Sequence, residues 1–246
     1  MAEILLVGES WIRHSTDIKG FDSFSSSSYG VGTEWIEQAV TGAGHAFHHL
    51  PCHLVDTQWP DLSRYDAVLL SDVGANTFML TSTCWDQATV TRNPLAEIVE
   101  YVGGGGGFGM IGGYLSFSGL QAQAAYANTP IADILPVQIS PYDDRVEHPE
   151  GVEPVAVTAD HPALGGARRF GPLLGYNRLT LRPEGTLLAT VDGDPLLTVG
   201  THGSGRVFAY AADCHEHWGT RAYLGSEDYL RLWGGLVSWC AGSERA

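Results

Sequence analysis

Short apolar runs closed by glycine alternate with longer amphipathic stretches through the first half of the chain. Ile4-Leu5-Leu6-Val7, ended by Gly8, predicts a buried strand. Gly32 to Val40 carries an apolar helical face through Trp35, Ile36 and Ala39, and Ala46 to Leu54 alternates loosely as a second strand before the turn at Pro60-Asp61-Leu62. Asp66 to Asp72 reads as a third strand with polar ends. Asn93 to Val102 places Leu95, Ile98, Val99 and Val102 at helical spacing, with Pro94 suited to the first turn. Phe108 to Ile111 supplies a fourth strand, behind the glycines of Gly103 to Gly107. Continuous apolar strands alternating with helices predict an open, mostly parallel α/β sheet with helices on both faces, the flavodoxin-like arrangement.

The second half changes character. Val152 to Thr158, Thr186 to Val191, Pro195 to Gly200 and Gly205 to Ala212 read as strands joined by short turns, with Asp192-Gly193-Asp194 a hairpin signal. Tyr229 to Cys240 closes the pattern as an amphipathic helix. The expectation is one domain over 1–246, its parallel core extended by antiparallel strands.

Composition narrows the function classes. The net charge is −15 and Lys19 is the only lysine, so no basic stripe exists to neutralise phosphates, and nucleic-acid binding is not expected. No run of about 18 apolar residues and no basic-then-apolar leader are present, which predicts a cytoplasmic protein without a membrane partner. Cys52, Cys84, Cys214 and Cys240 lack CxxC spacing, so neither a disulfide framework nor a structural zinc site is expected. Aromatic residues at Trp218, Tyr223, Tyr229 and Trp233 suggest a sticky surface and a homo-oligomer.

Candidate chemistry gathers at strand ends, because ligands of open parallel sheets bind outside their carboxyl edge. Asp213-Cys-His-Glu-His-Trp218 follows an apolar strand, and Asp213, His215 and His217 are capable of acid–base work or of holding a divalent metal, with Trp218 beside a ligand. Glu9 and Ser10 follow the first strand, and Asp72 and Asn76 the third, with Glu9 a candidate acid or base and Ser10 and Asn76 candidate ligand contacts. After the fourth strand, Gly112-Gly113 stands where a strand-to-helix turn would hold a nucleophile; Tyr114, Ser116 and Ser118 offer hydroxyls, and the N–H groups of Gly113 and Tyr114 an anion site. The Gly103–Gly107 run lacks the lysine and hydroxyl residue of a phosphate-binding loop. Tyr142 to Arg145 reads as a solvated excursion or subunit contact.

Gly8-Glu9-Ser10-Trp11, Ser71 to Gly74, Met110 to Ser118, Asp160-His161-Pro162, Gly205 to Phe208 and Asp213 to Trp218 together resemble the class I glutamine amidotransferase-like superfamily, in the branch related to trehalose-utilisation (ThuA-like) proteins. Members of that superfamily that release ammonia from glutamine use a Cys on the turn, a His after a late strand and a Glu two residues beyond it. Here the turn position is Gly112, or Ile111 under a one-residue shift, so the resemblance implies the fold without glutaminase activity. His148-Pro149-Glu150 copies the final pair in letters but follows no strand. The expected ligand is a small polar metabolite, sugar-derived or carboxylate-bearing, turned over by Glu9, Asp213, His215 and His217. A non-catalytic binding or assembly module, or a residual amidotransferase using Cys214 or Cys84, are the alternatives; no cofactor is required.

Overall fold

The computed structural model describes residues 1–243. The strands are β1 (Glu3–Gly8), β2 (Ser10–Lys19), β3 (Asp22–Val31), β4 (Ala46–Leu50), β5 (Ala67–Ser71), β6 (Gly107–Ile111), β7 (Val137–Gln138), β8 (Arg145–Val152), β9 (Val155–Ala156), β10 (Leu173–Asn177), β11 (Thr180–Leu181), β12 (Thr186–Val191), β13 (Asp194–His202) and β14 (Gly205–Tyr210). The helices are α1 (Glu34–Gly42), α2 (Val55–Gln58), α3 (Asn76–Met79), α4 (Ser82–Trp85), α5 (Pro94–Gly103), α6 (Ile131–Ile134), α7 (Arg221–Leu224) and α8 (Glu227–Cys240). An 8-stranded sheet in the order β4-β1-β5-β6-β14-β13-β12-β9 forms the centre. Its first five strands are parallel and the rest antiparallel, as the sequence predicts.

The buried parallel strands are the apolar runs. Ile4 to Val7, Ala67 to Leu70 and Phe108 to Ile111 apart from Gly109 are all at most 2 % exposed hydrophobics, covered from both sides by helices. On one side α1 lies against α8, and on the other α5 meets α3 and α6; both α5 and α8 touch β6 and β14. Asn93 caps α5 by accepting from the Leu95 and Ala96 N–H groups, and Ser226 caps α8 through Tyr229 N–H.

The structure departs from the sequence reading at four points. The second strand stops at Leu50, because Pro51 opens a 3₁₀ turn over Cys52–Leu54. No helix follows Gly113; the chain there runs through turns, with Phe117, Gln121, Ala122 and Ala125 all at positive φ. Residues between Gly8 and Gly32, which show no buried pattern, form a long two-stranded ribbon, β2–β3, exposed from Trp11 to Tyr29. The aromatic residues expected at the surface are core: Trp218, Tyr223, Tyr229 and Trp233 are each at most 2 % exposed.

The glycine run is a packing device. A Cβ on Gly107 would lie 2.4 Å from the Cys240 carbonyl oxygen, so the end of α8 can approach β6 only because no side chain intervenes. Gly107→Ala is expected to destabilise the protein by about 1–3 kcal/mol through this overpacking. In thermal unfolding each kcal/mol should appear as a Tm loss of about 2–4 °C, and an unchanged Tm would show that α8 yields freely.

Candidate active site

Three carboxyl groups meet at the carboxyl edge of the parallel strands. Glu9 follows β1, Asp72 follows β5 and Asp213 follows β14, and both Glu9 and Asp72 adopt a left-handed backbone at φ 43°. That geometry turns each chain sharply out of its strand. The two ends are joined, since Glu9 N–H donates to the Ser71 carbonyl at 3.0 Å and Ser71 Oγ donates to Glu9 Oε1 at 2.5 Å. Asp72 accepts from Leu115 N–H at 2.7 Å while its own N–H donates to Ser116 Oγ. Asp213 accepts from the His215 N–H at 2.9 Å, and His217 Nδ1 lies 3.4 Å from Asp213 Oδ2.

Burial dominates the electrostatics. It pushes the Glu9 carboxyl well above the ordinary carboxylate range, with Asp213 and Asp72 adding repulsion. Asp213 is raised in the same way by burial and by Asp72. Asp72 is raised by burial, against the pull of Leu115 N–H, His217 and His215. The two imidazoles move the other way: burial lowers both His215 and His217, although Asp72 favours their charged forms. Carboxyls are therefore biased toward holding protons, and imidazoles toward giving up theirs.

An aromatic and ionic collar orients His217. Its ring meets Tyr114 edge-on at 4.0 Å between centroids and stacks on Trp218 at 5.1 Å. Tyr114 Oη and Trp218 Nε1 both donate to the Glu147 carboxylate, and the Arg145 guanidinium sits over the Tyr114 ring. His215 faces another way, toward Trp11 and Glu216, and its Nδ1 is buried with no hydrogen-bond partner among the described residues.

Not every sequence candidate reaches this cluster. Ser10 Oγ accepts from Cys52 N–H, which fixes a turn, and Asn76 is exposed on α3. Ser118 Oγ donates to the Ser140 carbonyl. A Cβ on Gly112 would lie 2.4 Å from the Ala211 carbonyl oxygen and 2.7 Å from Asn177 Oδ1, and the Gly113 N–H donates to that same Oδ1. His148 stacks on Tyr176 and pairs with Glu150, apart from the three carboxyls. Asp213, His215 and His217 do not bring their ligand atoms to one point. Among the described residues, the sets that do, within 4.8 Å, are Glu9–Asp213–Cys214, wholly buried, and Glu34–His215–Glu216. Burial raises the Cys214 thiol well above its usual range, which favours the neutral thiol where it lies beside Glu9 and Ser71.

Residues not singled out by sequence complete the support. Asn177 Nδ2 donates to Asp144 Oδ1, and Asp144, only 4 % exposed, accepts from the Ser118 and Gly119 N–H groups. The loop read as solvated therefore anchors the turn after β6. A cavity of about 900 Å³ lies at the other end of the sheet beside Met1, His45 and His161, and shares no residue with the cluster. Both nitrogens of His45 are engaged there, by Ala2 N–H and Ser238 Oγ.

The raised Glu9 pKa has a thermodynamic signature. The native state keeps a proton that the unfolded chain has lost, so this contribution is full below the ordinary carboxylate pKa and is lost as pH rises through the raised value. Wild type should thus lose Tm relative to Glu9→Gln between about pH 5 and about pH 9, a range above the ordinary carboxylate pKa. A constant difference across that range would show that Glu9 titrates normally.

The comparisons with known proteins agree with this architecture. Comparison with curated proteins returned no match. The solved structure of "Cytoplasmic Protein STM3548" from Salmonella typhimurium is similar at 39 % identity and TM-score 0.92, over 96 % of this chain and 98 % of that one. "Cytoplasmic Protein STM1381" from Salmonella typhimurium LT2 is similar at 39 % identity and TM-score 0.92, over 97 % and 99 % of the two chains. A "Putative thua-like protein" from Parabacteroides merdae shares the fold at 12 % identity and TM-score 0.56, over 99 % and 91 %. The family model described as "Putative glutamine amidotransferase" matches residues 3–242, and the chain belongs to that family.

Proposed function

We propose that this chain is an enzyme of a small polar metabolite that works by general acid–base chemistry and not by glutamine hydrolysis. The observation that carries the reading is the opposed displacement of neighbouring groups: the Glu9, Asp72 and Asp213 carboxyls are raised while His215 and His217 are lowered. Such a pairing keeps a proton donor and a proton acceptor available together near neutral pH. In this scheme neutral His217 accepts a proton from the ligand, and Asp213, 3.4 Å from its Nδ1, holds the ring in place. Glu9 lies behind them as a further acid, within 4.8 Å of Asp213.

Ligand class follows from charge. Carboxyls that hold their protons beside neutral imidazoles offer a neutral hydroxyl-rich ligand both donors and acceptors, and supply no cation of their own to bind a carboxylate. A sugar-derived metabolite is therefore favoured within the classes the sequence suggests. The two Salmonella proteins described as cytoplasmic support the same compartment for this chain, and no described helix is long and apolar enough to cross a membrane. A non-catalytic module is the second reading, favoured by the cavity of about 900 Å³ at the far edge.

Incubation of the protein with a panel of neutral polyhydroxylated metabolites, followed by mass spectrometry, should reveal a converted compound. His217→Ala and Asp213→Asn should each slow that conversion by about 10²–10⁴-fold, while Asn76→Ala should leave it unchanged. Binding without conversion would favour the module. Glutamine should release no ammonia, and ammonia release lost in Cys214→Ala or Cys84→Ala would restore the amidotransferase reading.

A further inference from the structure

The β2–β3 ribbon leaves the body between Glu9 and Gly32 and carries ten residues in each strand, paired from Ser10↔Val31 to Lys19↔Asp22. Its attachment is at the base, where Ser10 receives Cys52 N–H, Trp11 meets His215 and Tyr29 meets His53. Beyond that, both outer edges lack a strand partner among the described residues. Isolated two-stranded hairpins are marginal in water, and free edges of this length recruit other chains unless blunted. Here Lys19 is the only lysine on the ribbon, and neither strand contains proline.

Exposed apolar side chains stand on both faces of the ribbon, among polar ones. The register places Ile12, Ile18 and Tyr29 on one face and Trp11 and Phe24 on the other, with Phe21 in the turn, and all six side chains are exposed. Charge isolates it further. Arg13 and Lys19 balance Asp17 and Asp22, so the ribbon is neutral and the whole net charge of −15 lies on the rest of the chain. Copies meeting body to body would bring like charge together, whereas copies meeting through ribbons would not.

We propose that this ribbon is a self-association arm whose exposed apolar side chains and unpaired edges are covered by a second copy of the chain. The dimensions suffice. Ten residues at about 3.3 Å each and a width of about 10 Å give each ribbon face about 330 Å². One face of each arm laid against the partner, in a two-fold exchange, buries about 1,300 Å² in total, within the range of stable interfaces.

The test is the mass of the full chain in solution, by light scattering at micromolar concentration. The wild type is expected at twice the mass of one chain or more. Joint substitution Ile18→Ser, Phe21→Ser and Phe24→Ser, at side chains remote from the body, is expected to give a folded monomer with unchanged circular dichroism. A monomeric wild type overturns the proposal, and so does a triple variant of wild-type mass. Should the variant fail to fold, hydrogen exchange on the wild type decides. Arm amides between residues 12 and 29 must exchange at least about tenfold more slowly in concentrated than in dilute protein, and concentration-independent exchange refutes the arm. None of these outcomes depends on the acid–base reading, because the arm tip takes no part in the carboxyl cluster.

Discussion

Desolvation of three carboxyl groups at one sheet edge is the constraint around which this molecule is arranged. Glu9 and Asp213 are 2 % and 3 % exposed, and Asp72 lies beside them, with hydroxyl and backbone N–H donors in place of Lys or Arg. Burying charge without a full counter-charge is costly, and the group answers by holding its proton. The backbone bears part of the cost too, since Glu9 and Asp72 sit in a left-handed conformation worth about 1–3 kcal/mol of strain apiece for non-glycine residues. What sustains that strain is the join between β1 and β5. Gly8 lies so close to the Ser71 carbonyl that a Cβ there would fall 1.8 Å from its oxygen, so the two strand ends move as one.

Much of the fold is legible because buried parallel strands leave an unmistakable trace. Ile4 to Val7 and Phe108 to Ile111 are continuous apolar runs for the reason that helices cover both their faces. The ribbon leaves no such trace. Its residues face water on both sides, so no alternation distinguishes Ser23 to Ser28 from a loop, and its strand character comes from cross-strand pairing alone. The turn after β6 is illegible for another reason: Phe117, Gln121, Ala122 and Ala125 hold positive φ without being glycine, and only their surroundings impose it.

The site divides along the same line. Glu9, Asp72, Asp213, His215 and His217 follow apolar strands directly, and the strand-end rule brings them to one edge from sequence alone. Glu147, Arg145 and Asn177 do not obey it. They belong to the separate antiparallel pair β8–β10, which lies outside the main sheet, and only its packing sets them beside Tyr114, Trp218 and Gly113. Asp144 sits in a run of charged residues that looks solvated, yet it is desolvated by N–H donors from Ser118 and Gly119, more than twenty residues away in the chain.

The turn at Gly112-Gly113 leaves no room for a side chain. A nucleophile at Gly112 would need a Cβ where the Ala211 carbonyl and Asn177 already stand, and one at Gly113 would place it 2.8 Å from Asp72 Oδ1. The Gly113 N–H, which would otherwise face an anion, is donated to Asn177. Asp72 belongs to the carboxyl cluster, and Asn177 anchors the turn beside it through Asp144. Installing a cysteine on this turn would displace those two side chains, so in this backbone a nucleophilic turn and the acid cluster exclude one another.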